Sequence, residues 1–308
     1  MPDPHPSDPP TSCRGRFAPS PTGPLHAGSI MAALASFLDA KSRQGSWLLR
    51  MEDLDPPRES PEAASRILHD LEALGLEWDG PVVYQSRRTE AYDAAIAQLT
   101  AGGQTFWCRC SRQTLAAAGG RYPGTCRELG LAAGPGLALR CRAGSTTIEF
   151  SDLLQGMQTQ ALEQEAGDFV IKRKDGLYAY QLAVIVDDAW QGITHVVRGI
   201  DLLDSTPRQI HLQQLLGMAT PLYSHIPVLV NSEGHKLSKQ NFATAIDADR
   251  PVQVLYDALT RLQQEPDPAL LQADRDSLLA WALQHWRPQR MAGLRAVPEV
   301  SAAAAAGV

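Results

Sequence analysis

The sequence predicts an α/β protein with a Rossmann-like, doubly wound parallel sheet, interrupted by an insertion and followed by a small C-terminal helical appendage. Strand-like and helix-like segments alternate in two blocks, which is typical of a parallel sheet with helices on its faces. Between the blocks, residues 105–140 are rich in Cys, Gly and Pro and lose helical periodicity. From 251 to 286 the pattern is helical only, which predicts the appendage.

The first block alternates from residue 14 to residue 99. In its first helix, Ile30, Leu34, Phe37 and Leu38 recur at the helical period. The helix that opens at Ser60 has proline at its first helical position, where the missing N–H costs nothing. The predicted elements are a strand at 14–18, a helix at 26–43, a strand at 47–51, a helix from 60, a strand at 82–84 and a helix at 89–99.

The second block resumes the alternation after the insertion. Its predicted elements are a strand at 169–172, a helix around 180–189, a strand at 195–197, a helix at 207–216 and a strand at 226–230. A polar loop at 231–241 follows the last strand. The alanine-rich end, 301–308, predicts a frayed tail.

Composition favours a globular protein of the cytoplasm. The 308 residues are 44% hydrophobic and 20% charged, with a net charge of −6, so overall charge does not indicate nucleic-acid binding, although a local basic face is still compatible with it. The N-terminal segment 1–12 has no apolar core and does not resemble a secretory signal. The longest apolar run, 30–38, is too short to cross a bilayer, so we expect no membrane partner.

Three of the five cysteines, Cys108, Cys110 and Cys126, lie close together in the insertion. Thiolates are good ligands for Zn²⁺, which prefers four ligands in a tetrahedron. No histidine occurs between His69 and His195, so Cys141 is the fourth candidate that the residues themselves offer. Free structural thiols are the alternative to a zinc-binding insertion.

Two segments carry features that suit a bound phosphate. The first is a Pro/Gly-rich turn that ends in a predicted helix start at His26, Gly28 and Ser29, where backbone N–H groups and the helix dipole favour an anion. The second is GHKLSKQ at 234–240, in which Lys236 and Lys239 would neutralise a polyphosphate. Alone, an ordinary turn and a solvated loop would explain them.

Together, these two segments resemble the signature sequences of class I aminoacyl-tRNA synthetases. GRFAPSPTGPLH at 15–26 is similar to the glutamate-specific branch, as are LLRMEDLD at 48–55, YAYQLAVIVDD at 178–188 and VRGID at 197–201. The order along the chain is the same. Ser29 stands where many members have a second histidine, and Leu237 and Gln240 replace Met and Ser of the lysine signature.

The resemblance implies an enzyme that activates L-glutamate with ATP and Mg²⁺. His26 and Lys239 are then the catalytic residues. The residues implied for ATP are His26, Gly28, Ser29, Lys236 and Lys239. The residues implied for glutamate are Arg16, Ala18, Ser20, Glu52, Tyr180 and Arg198. Arginine forks suit the carboxylate and Glu52 suits the ammonium, whereas surface, ion-pair or core roles are the ordinary alternatives.

The resemblance also implies a fourth zinc ligand and an acceptor for the activated glutamate. Small paralogues of glutamyl-tRNA synthetase show a Cys-x-Cys, Tyr, x₃, Cys order, which makes Tyr122 the fourth ligand beside Cys108, Cys110 and Cys126. The helical region after the lysine segment is too short for an anticodon-reading domain. This resembles the paralogues that transfer glutamate to queuosine in the anticodon loop of tRNA(Asp).

Three alternatives stay open: a short enzyme that charges the 3′ end of tRNA, a nucleotidyltransferase without RNA, and a zinc-holding RNA-binding module. We expect a monomer and assign no role to Asp187, Asp188, Gln209 or His211. The expected division of the chain is a disordered tail (1–12), the first half of the catalytic domain (13–104), the zinc-binding insertion (105–145), the second half (146–245), a helical region (246–295) and a low-complexity tail (296–308).

Overall fold

The computed structural model describes residues 12–119, 121–235 and 245–299. The strands are β1 (Arg14–Phe17), β2 (Ser46–Met51), β3 (Val83–Tyr84), β4 (Thr105–Cys108), β5 (Ala138–Cys141), β6 (Thr147–Asp152), β7 (Gly156–Ala161), β8 (Phe169–Lys172), β9 (His195–Gly199), β10 (Leu222–Ile226), β11 (Val228–Val230) and β12 (Ala296–Pro298). The α-helices are α1 (Ala27–Ser42), α2 (Pro61–Ala73), α3 (Thr89–Ala101), α4 (Arg112–Ala117), α5 (Leu162–Glu165), α6 (Tyr180–Trp190), α7 (Thr206–Leu216), α8 (Pro251–Arg261) and α9 (Arg275–His285).

The strands that position the site form two groups of parallel neighbours. One group has the order β1-β2-β3, and the other has the order β7-β6-β10-β9, in which only β7 runs antiparallel to its neighbour. The groups meet where β9 approaches β1, because Thr194 donates its N–H to the carbonyl of Arg14 at 3.0 Å. The fold is therefore α/β with parallel sheets, as the sequence predicts.

The junction of β1 and β9 is where the direction of winding changes. From β1 the chain passes through α1 to β2 on one side, and from β9 it passes through α7 to β10 on the other. In open α/β sheets, ligands bind in the crevice beyond the carboxyl ends of the two strands at such a point. The residues that follow β1 and end β9 are thus expected to line a binding site.

Helix α1 is the centre of the largest core. His26 caps its N-terminus and Ser42 ends it, close to the predicted bounds. Leu34 and Leu38 are fully buried, and each such side chain contributes roughly 1.5–3 kcal/mol relative to an exposed one. The helix is covered on its other side by α8 and α9, whose buried leucines belong to the same core.

Three predicted elements differ in the structure. β8 does not resume the parallel sheet but pairs antiparallel with β5, in a small sheet with the order β4-β5-β8. The strand predicted at 226–230 is divided into β10 and β11 at Pro227, which has no N–H to donate to a ladder. The predicted tail from 296 begins with β12, which pairs in parallel with β11.

The hairpin of β6 and β7 was not among the predicted elements. Within the predicted polar loop, residues 236–244 lie outside the described residues, as do 1–11 and 300–308. Among the helices that the structure describes, none is both long and apolar enough to cross a membrane.

Candidate active site

An inner cavity of about 380 Å³ lies beyond the carboxyl ends of β1 and β9. It is lined by Arg16, Phe17, Ala18, Ser20, Ala32, Glu52, Tyr180, Val197, Arg198, Gly199 and Leu202. All six residues that the resemblance implies for glutamate are in this set, although they come from four separate parts of the chain. The cavity therefore combines two guanidinium groups with one carboxylate, a set that suits a ligand with both anionic and cationic groups.

The guanidinium of Arg198 is held at the end of β9 by four side chains. Its Nη1 donates to the hydroxyl of Tyr180 at 3.1 Å, and its Nη2 donates to Thr206 Oγ1 and Gln209 Oε1, both at 2.8 Å. Its Nε donates to His225 Nε2 at 3.0 Å. Because arginine has five N–H groups, the described contacts leave one, on Nη1, for a ligand.

Arg16, on β1, is held by an acidic residue of α6. Its Nε lies 3.2 Å from Asp188 Oδ1, and both side chains are buried. Arg50, on β2, donates to the same oxygen at 2.8 Å and to Gln191 Oε1 at 2.6 Å. Although burial acts to raise the pKa of Asp188, Arg16 and Arg50 lower it below its ordinary value. Asp188 therefore holds both arginines as a carboxylate.

Glu52 follows β2 and is the acidic group of the inner cavity. Its side chain is 10% exposed, and its Oε1 accepts a hydrogen bond from Arg50 Nη2 at 3.4 Å. Burial raises its pKa above the ordinary value, and Arg50 and Arg16 only partly oppose this. A ligand ammonium at Glu52 would favour the carboxylate and lower that pKa again.

An outer cavity of about 290 Å³ adjoins the inner one. It is lined by Phe17, Pro19, Ser20, Thr22, Leu25, His26, Gly28, Ser29, Ala32, Gly199, Asp201, Ile226, Pro227, Val228 and Leu229. Phe17, Ser20, Ala32 and Gly199 line both cavities. The two spaces therefore meet at the end of β1, so that ligands bound in each would have neighbouring ends.

His26 caps α1 with its own side chain. Its Nδ1 accepts a hydrogen bond from the backbone N–H of Ser29 at 3.3 Å. In a neutral imidazole one nitrogen accepts and the other carries the proton, so this bond assigns the proton to Nε2. The cap therefore makes Nε2 the donor nitrogen of His26, and it uses the backbone N–H of Ser29.

Gly28 lies where a side chain would press on the cap. A Cβ atom at this position would lie 3.2 Å from Cε1 and 3.3 Å from Nδ1 of His26. The absence of a side chain at residue 28 therefore keeps space for the imidazole, a reason different from the close approach of a ligand that the sequence suggests.

The predicted ATP residues Lys236 and Lys239 lie outside the described residues. Described residues before and after the segment that carries these lysines lie near the outer cavity. On one side it follows β11, whose Val228 and Leu229 line that cavity. On the other side Ala245 forms a bridge with His26, and Ile246 donates its N–H to the carbonyl of Leu25 at 3.1 Å.

The cysteine cluster lies in the insertion, at the end of β4. The sulfur atoms of Cys108, Cys110 and Cys126 are all within 4.8 Å of one another, and those of Cys110 and Cys126 are 3.6 Å apart. In a tetrahedral zinc site with Zn–S bonds of about 2.3 Å, sulfur atoms are about 3.8 Å apart. The three thiols therefore fit a zinc ion.

The tyrosine and the remaining cysteine are placed differently relative to this cluster. The hydroxyl of Tyr122 accepts the backbone N–H of Cys126 at 2.5 Å, and the two residues share one apolar cluster with Cys108. Cys141 lies at the opposite end of β5 and pairs with Thr105, whereas Cys108 pairs with Ala138. The alternative of Cys141 as fourth ligand is therefore wrong in this geometry, because the strand separates it from the other thiols.

Electrostatics distinguish the Cys126 thiol of the cluster from the Cys141 thiol outside it. Burial acts to raise the pKa of Cys126, but hydrogen bonds from the backbone of Arg109 and from the neighbouring thiols lower it to about 7. Burial raises the pKa of the Cys141 thiol to about 12. A thiolate, the form that binds metal, is thus favoured at Cys126 and disfavoured at Cys141.

Several residues of the site were missed in the sequence. Asp188 and Gln209 received no role, yet they hold Arg16 and Arg198. His211, which also received no role, lines neither cavity, and its Nε2 contacts the backbone carbonyl of Arg142. Arg50, inside the apolar strand SWLLRM, was the clearest signal available, since a charged side chain in a buried strand requires partners.

Comparisons with known proteins agree with this geometry. Residues 12–265 match the family described as tRNA synthetases class I (E and Q), catalytic domain. The chain is 53% identical over 285 residues to the glutamyl-Q tRNA(Asp) synthetase of Pseudomonas entomophila, covering 92% of this chain and 96% of that protein. It is 50% identical to the protein of the same name from Pseudomonas aeruginosa, covering 92% and 97%.

Among solved structures, the fold is similar to that of a glutamate-tRNA synthetase from Elizabethkingia anophelis. The TM-score is 0.79 at 24% identity, and the match covers 94% of this chain and 68% of the other. At this identity the likeness concerns the fold. From the family match and the two Pseudomonas relatives, the chain belongs to the class I tRNA synthetases of the E and Q type, among the glutamyl-Q tRNA(Asp) synthetases.

Proposed function

We propose that this protein activates L-glutamate with ATP and transfers the glutamyl group to the queuosine base in the anticodon loop of tRNA(Asp). The observation that carries the first step is the pair of cavities that meet at the end of β1. One is lined by both arginines and Glu52, and the other by the helix start at His26. The identity of the acceptor rests on the relatives, which match over nearly their whole length.

In this proposal the inner cavity binds glutamate. The open N–H on Arg198 Nη1 and the guanidinium of Arg16 pair with the side-chain carboxylate, and Glu52 pairs with the ammonium. Tyr180 and Ser20 add hydrogen bonds, whereas Ala18 has only its backbone to offer. A neutral amide in place of the carboxylate would leave the arginines without an anion, so glutamine is rejected.

The outer cavity binds ATP next to glutamate. An α-carboxylate oxygen of glutamate attacks the α-phosphorus, the bond from that phosphorus to the bridging oxygen breaks, and pyrophosphate leaves. Bound Mg²⁺ would neutralise part of the charge on the phosphates. The protein contributes position and charge rather than covalent chemistry. In this proposal the phosphates are bound by the Nε2–H of His26 and by four further residues, Gly28, Ser29, Lys236 and Lys239. Donors aimed at charge that builds in the transition state are worth about 3 kcal/mol each.

In the second step a hydroxyl of the queuosine cyclopentene-diol attacks the acyl carbon of glutamyl-adenylate. An ester forms, AMP leaves, and the hydroxyl proton is released. Proteins that read RNA commonly take a splayed loop base into a pocket, and tRNA(Asp) meets this requirement with its anticodon loop. We expect the protein to act in the cytoplasm as a monomer.

Zinc has a structural role in this proposal. Cys108, Cys110, Cys126 and Tyr122 would hold it, and the ion would fasten the insertion rather than take part in activation. The insertion is also tied to β8, because Arg127 forms two hydrogen bonds with Asp168, at 2.7 and 2.9 Å. In this proposal the insertion at 105–145 separates the two halves of the catalytic domain.

The test incubates the protein with radiolabelled glutamate, ATP and tRNA(Asp) that carries or lacks queuosine. We expect label only on the queuosine-containing tRNA, as an ester released by mild base. We also expect pyrophosphate exchange with glutamate in the absence of any tRNA, because both cavities are built from this chain alone. Label on the 3′ end of tRNA(Glu) would instead support a short tRNA-charging enzyme.

A further inference from the structure

We propose that Asp152 and His225 are positioning residues that set the affinity for glutamate by fixing the guanidinium of Arg198. This inference rests on the proposed function, since it deepens the role of the inner cavity. Neither residue lines that cavity, and both are buried. Their effect therefore has to pass through Arg198.

The three residues lie on three neighbouring strands. Asp152 ends β6, His225 lies on β10 and Arg198 lies on β9, in the sheet order β6-β10-β9. His225 and Arg198 are register partners on their parallel strands, so their side chains leave the sheet side by side. His225 Nδ1 lies 2.5 Å from Asp152 Oδ2, and His225 Nε2 lies 3.0 Å from Arg198 Nε.

The chemistry of the donors allows one proton arrangement. Arg198 Nε is always a donor, so His225 Nε2 has to be the acceptor and the imidazole proton has to be on Nδ1. That proton is donated to Asp152 Oδ2. Burial lowers the pKa of His225 below its ordinary value, and against the effect of burial the contact with His225 lowers that of Asp152, so the pair is a neutral imidazole and a carboxylate.

Asp152 is itself fixed, so it dictates the tautomer. Its Oδ1 accepts the backbone N–H groups of Leu154, Gln155 and His225, at 3.0, 2.9 and 3.2 Å. Only Oδ2 faces the imidazole. The carboxylate therefore has one oxygen assigned to the backbone and the other to His225, and it has no second orientation.

For Arg198 the result is a guanidinium whose plane is locked. Nε is bound by His225 and Nη2 by Thr206 and Gln209, which directs Nη1 to Tyr180 and the inner cavity. If the imidazole proton moved to Nε2, two donors would face each other. Arg198 would have to turn away, and its last N–H would leave the position in which it meets the ligand carboxylate.

The critical variant is Asp152→Asn, because it has nearly the same volume. The three backbone N–H groups require an oxygen at the Oδ1 position, so the new NH₂ group takes the Oδ2 position and faces Nδ1. The imidazole proton then has to move to Nε2, against Arg198. We expect the KM for glutamate in pyrophosphate exchange to rise at least about tenfold, the scale for losing a buried hydrogen bond to a charged group, with the KM for ATP within about twofold.

A second variant, His225→Gln, replaces the imidazole with an amide oxygen, a hydrogen-bond acceptor that does not depend on a tautomer. Its amide oxygen reaches the position of Nε2, so we expect the KM for glutamate to stay within about threefold of wild type. Adding Asp152→Asn to His225→Gln should then have little further effect, since no imidazole remains to be reset. This non-additivity is a result that a merely structural role of Asp152 would not produce.

Tyr223→Phe is the matched control in the same core. It removes a buried hydrogen bond to Gln213, at 3.2 Å, but keeps the ring that lies beside Arg198. We expect a lower melting temperature and an unchanged KM for glutamate. The proposal is overturned if Asp152→Asn leaves the KM for glutamate unchanged, if it raises the KM for ATP equally, or if Tyr223→Phe raises the KM for glutamate as much. Wild-type protein that failed to exchange pyrophosphate with glutamate would instead overturn the proposed function.

Discussion

The inner cavity and the cysteine cluster are assembled in opposite ways. The charged residues that line the cavity come from β1, from the residue that follows β2 and from β9, and Arg16 is held by Asp188 of α6, more than 170 residues away in sequence. The cluster takes all its thiols and Tyr122 from one short stretch, 108–126. The cavity therefore depends on the whole sheet, whereas the cluster depends on one insertion.

This difference predicts how far the effect of a substitution in each region should extend. A change in the inner cavity should reach catalysis and, through buried charge, the stability of the whole domain. A change in the cluster should affect metal content and local order, and leave glutamate activation nearly intact. The predictions below test this contrast from the largest expected effect to the smallest.

Replacing Arg198 with alanine should have the largest effect. The variant lacks the guanidinium that faces the ligand carboxylate and leaves His225, Thr206 and Gln209 without their shared donor. Because loss of one partner from a buried charge pair costs about 3–5 kcal/mol, we expect kcat/KM for glutamate to fall by two to three orders of magnitude. Steady-state pyrophosphate exchange measures this, and a fall of less than tenfold would remove Arg198 from the binding set.

Asp188→Asn should mainly reduce stability. It removes the carboxylate that holds Arg16 and Arg50, and we expect the free energy of unfolding in urea at pH 7 to fall by about 3 kcal/mol. The pKa of Asp188 in the folded protein is lowered, so its contribution is complete above the ordinary value of 3.8 and is lost as the pH falls through the lower folded value. The difference between the variant and wild type should accordingly shrink in acid.

Asp93→Asn is the control for that measurement. Asp93 is 57% exposed and pairs with Lys172 at 3.0 Å. An exposed pair of this kind contributes at most about 1 kcal/mol. Equal losses in the two variants would show that the buried position of Asp188 has no special importance.

The cysteine cluster should respond in metal content. We expect Cys126→Ala to lose zinc, measured by elemental analysis of the purified protein, and Tyr122→Phe to bind it more weakly in competition with a chelator. Cys141→Ala is the matched control and should keep the ion. In all three, the KM for glutamate should stay within about twofold. Full zinc occupancy in Cys126→Ala would exclude that thiol, and a large rise in KM would contradict the separation of the two regions.

Gly28→Ala should have the smallest effect. The added methyl group would lie 3.2 Å from the imidazole of His26, which has to move by a few tenths of an ångström. We expect the KM for ATP to rise a few-fold and the KM for glutamate to stay unchanged, since the displacement concerns the outer cavity. An unchanged KM for ATP would mean that the exact place of the imidazole is unimportant.

The sequence predicts features that depend on local signals better than features that depend on distant segments coming together. Local patterns predicted α1 within a residue at each end, because the N-cap and the apolar period are both local signals. The six residues of the inner cavity were predicted only through resemblance, because periodicity does not report which distant segments meet. That Arg16, Glu52 and Arg198 line one cavity is a property of the sheet order, which no single segment encodes.

The supporting residues were beyond prediction for a further reason. Asp152 and His225 lie in segments where the alternation of strands gave no indication of their partners, and the hairpin that carries Asp152 was not predicted at all. Asp188 looked like an ordinary helix-end acid, and only its distance from Arg16 reveals its role. The role of a buried charged residue becomes clear only when its partner is known, and the partner is brought to it by the tertiary structure.

The pairing of β12 with β11 has a practical consequence. Val230 accepts the N–H of Glu299 at 2.9 Å, so the last described residues fasten the strand that leads from the outer cavity to the lysine segment. A shortened protein ending before Ala296 would expose the edge of β11, and exposed edges invite intermolecular association. Affinity tags therefore belong beyond residue 299, and trimming this end should cost solubility and ATP affinity together.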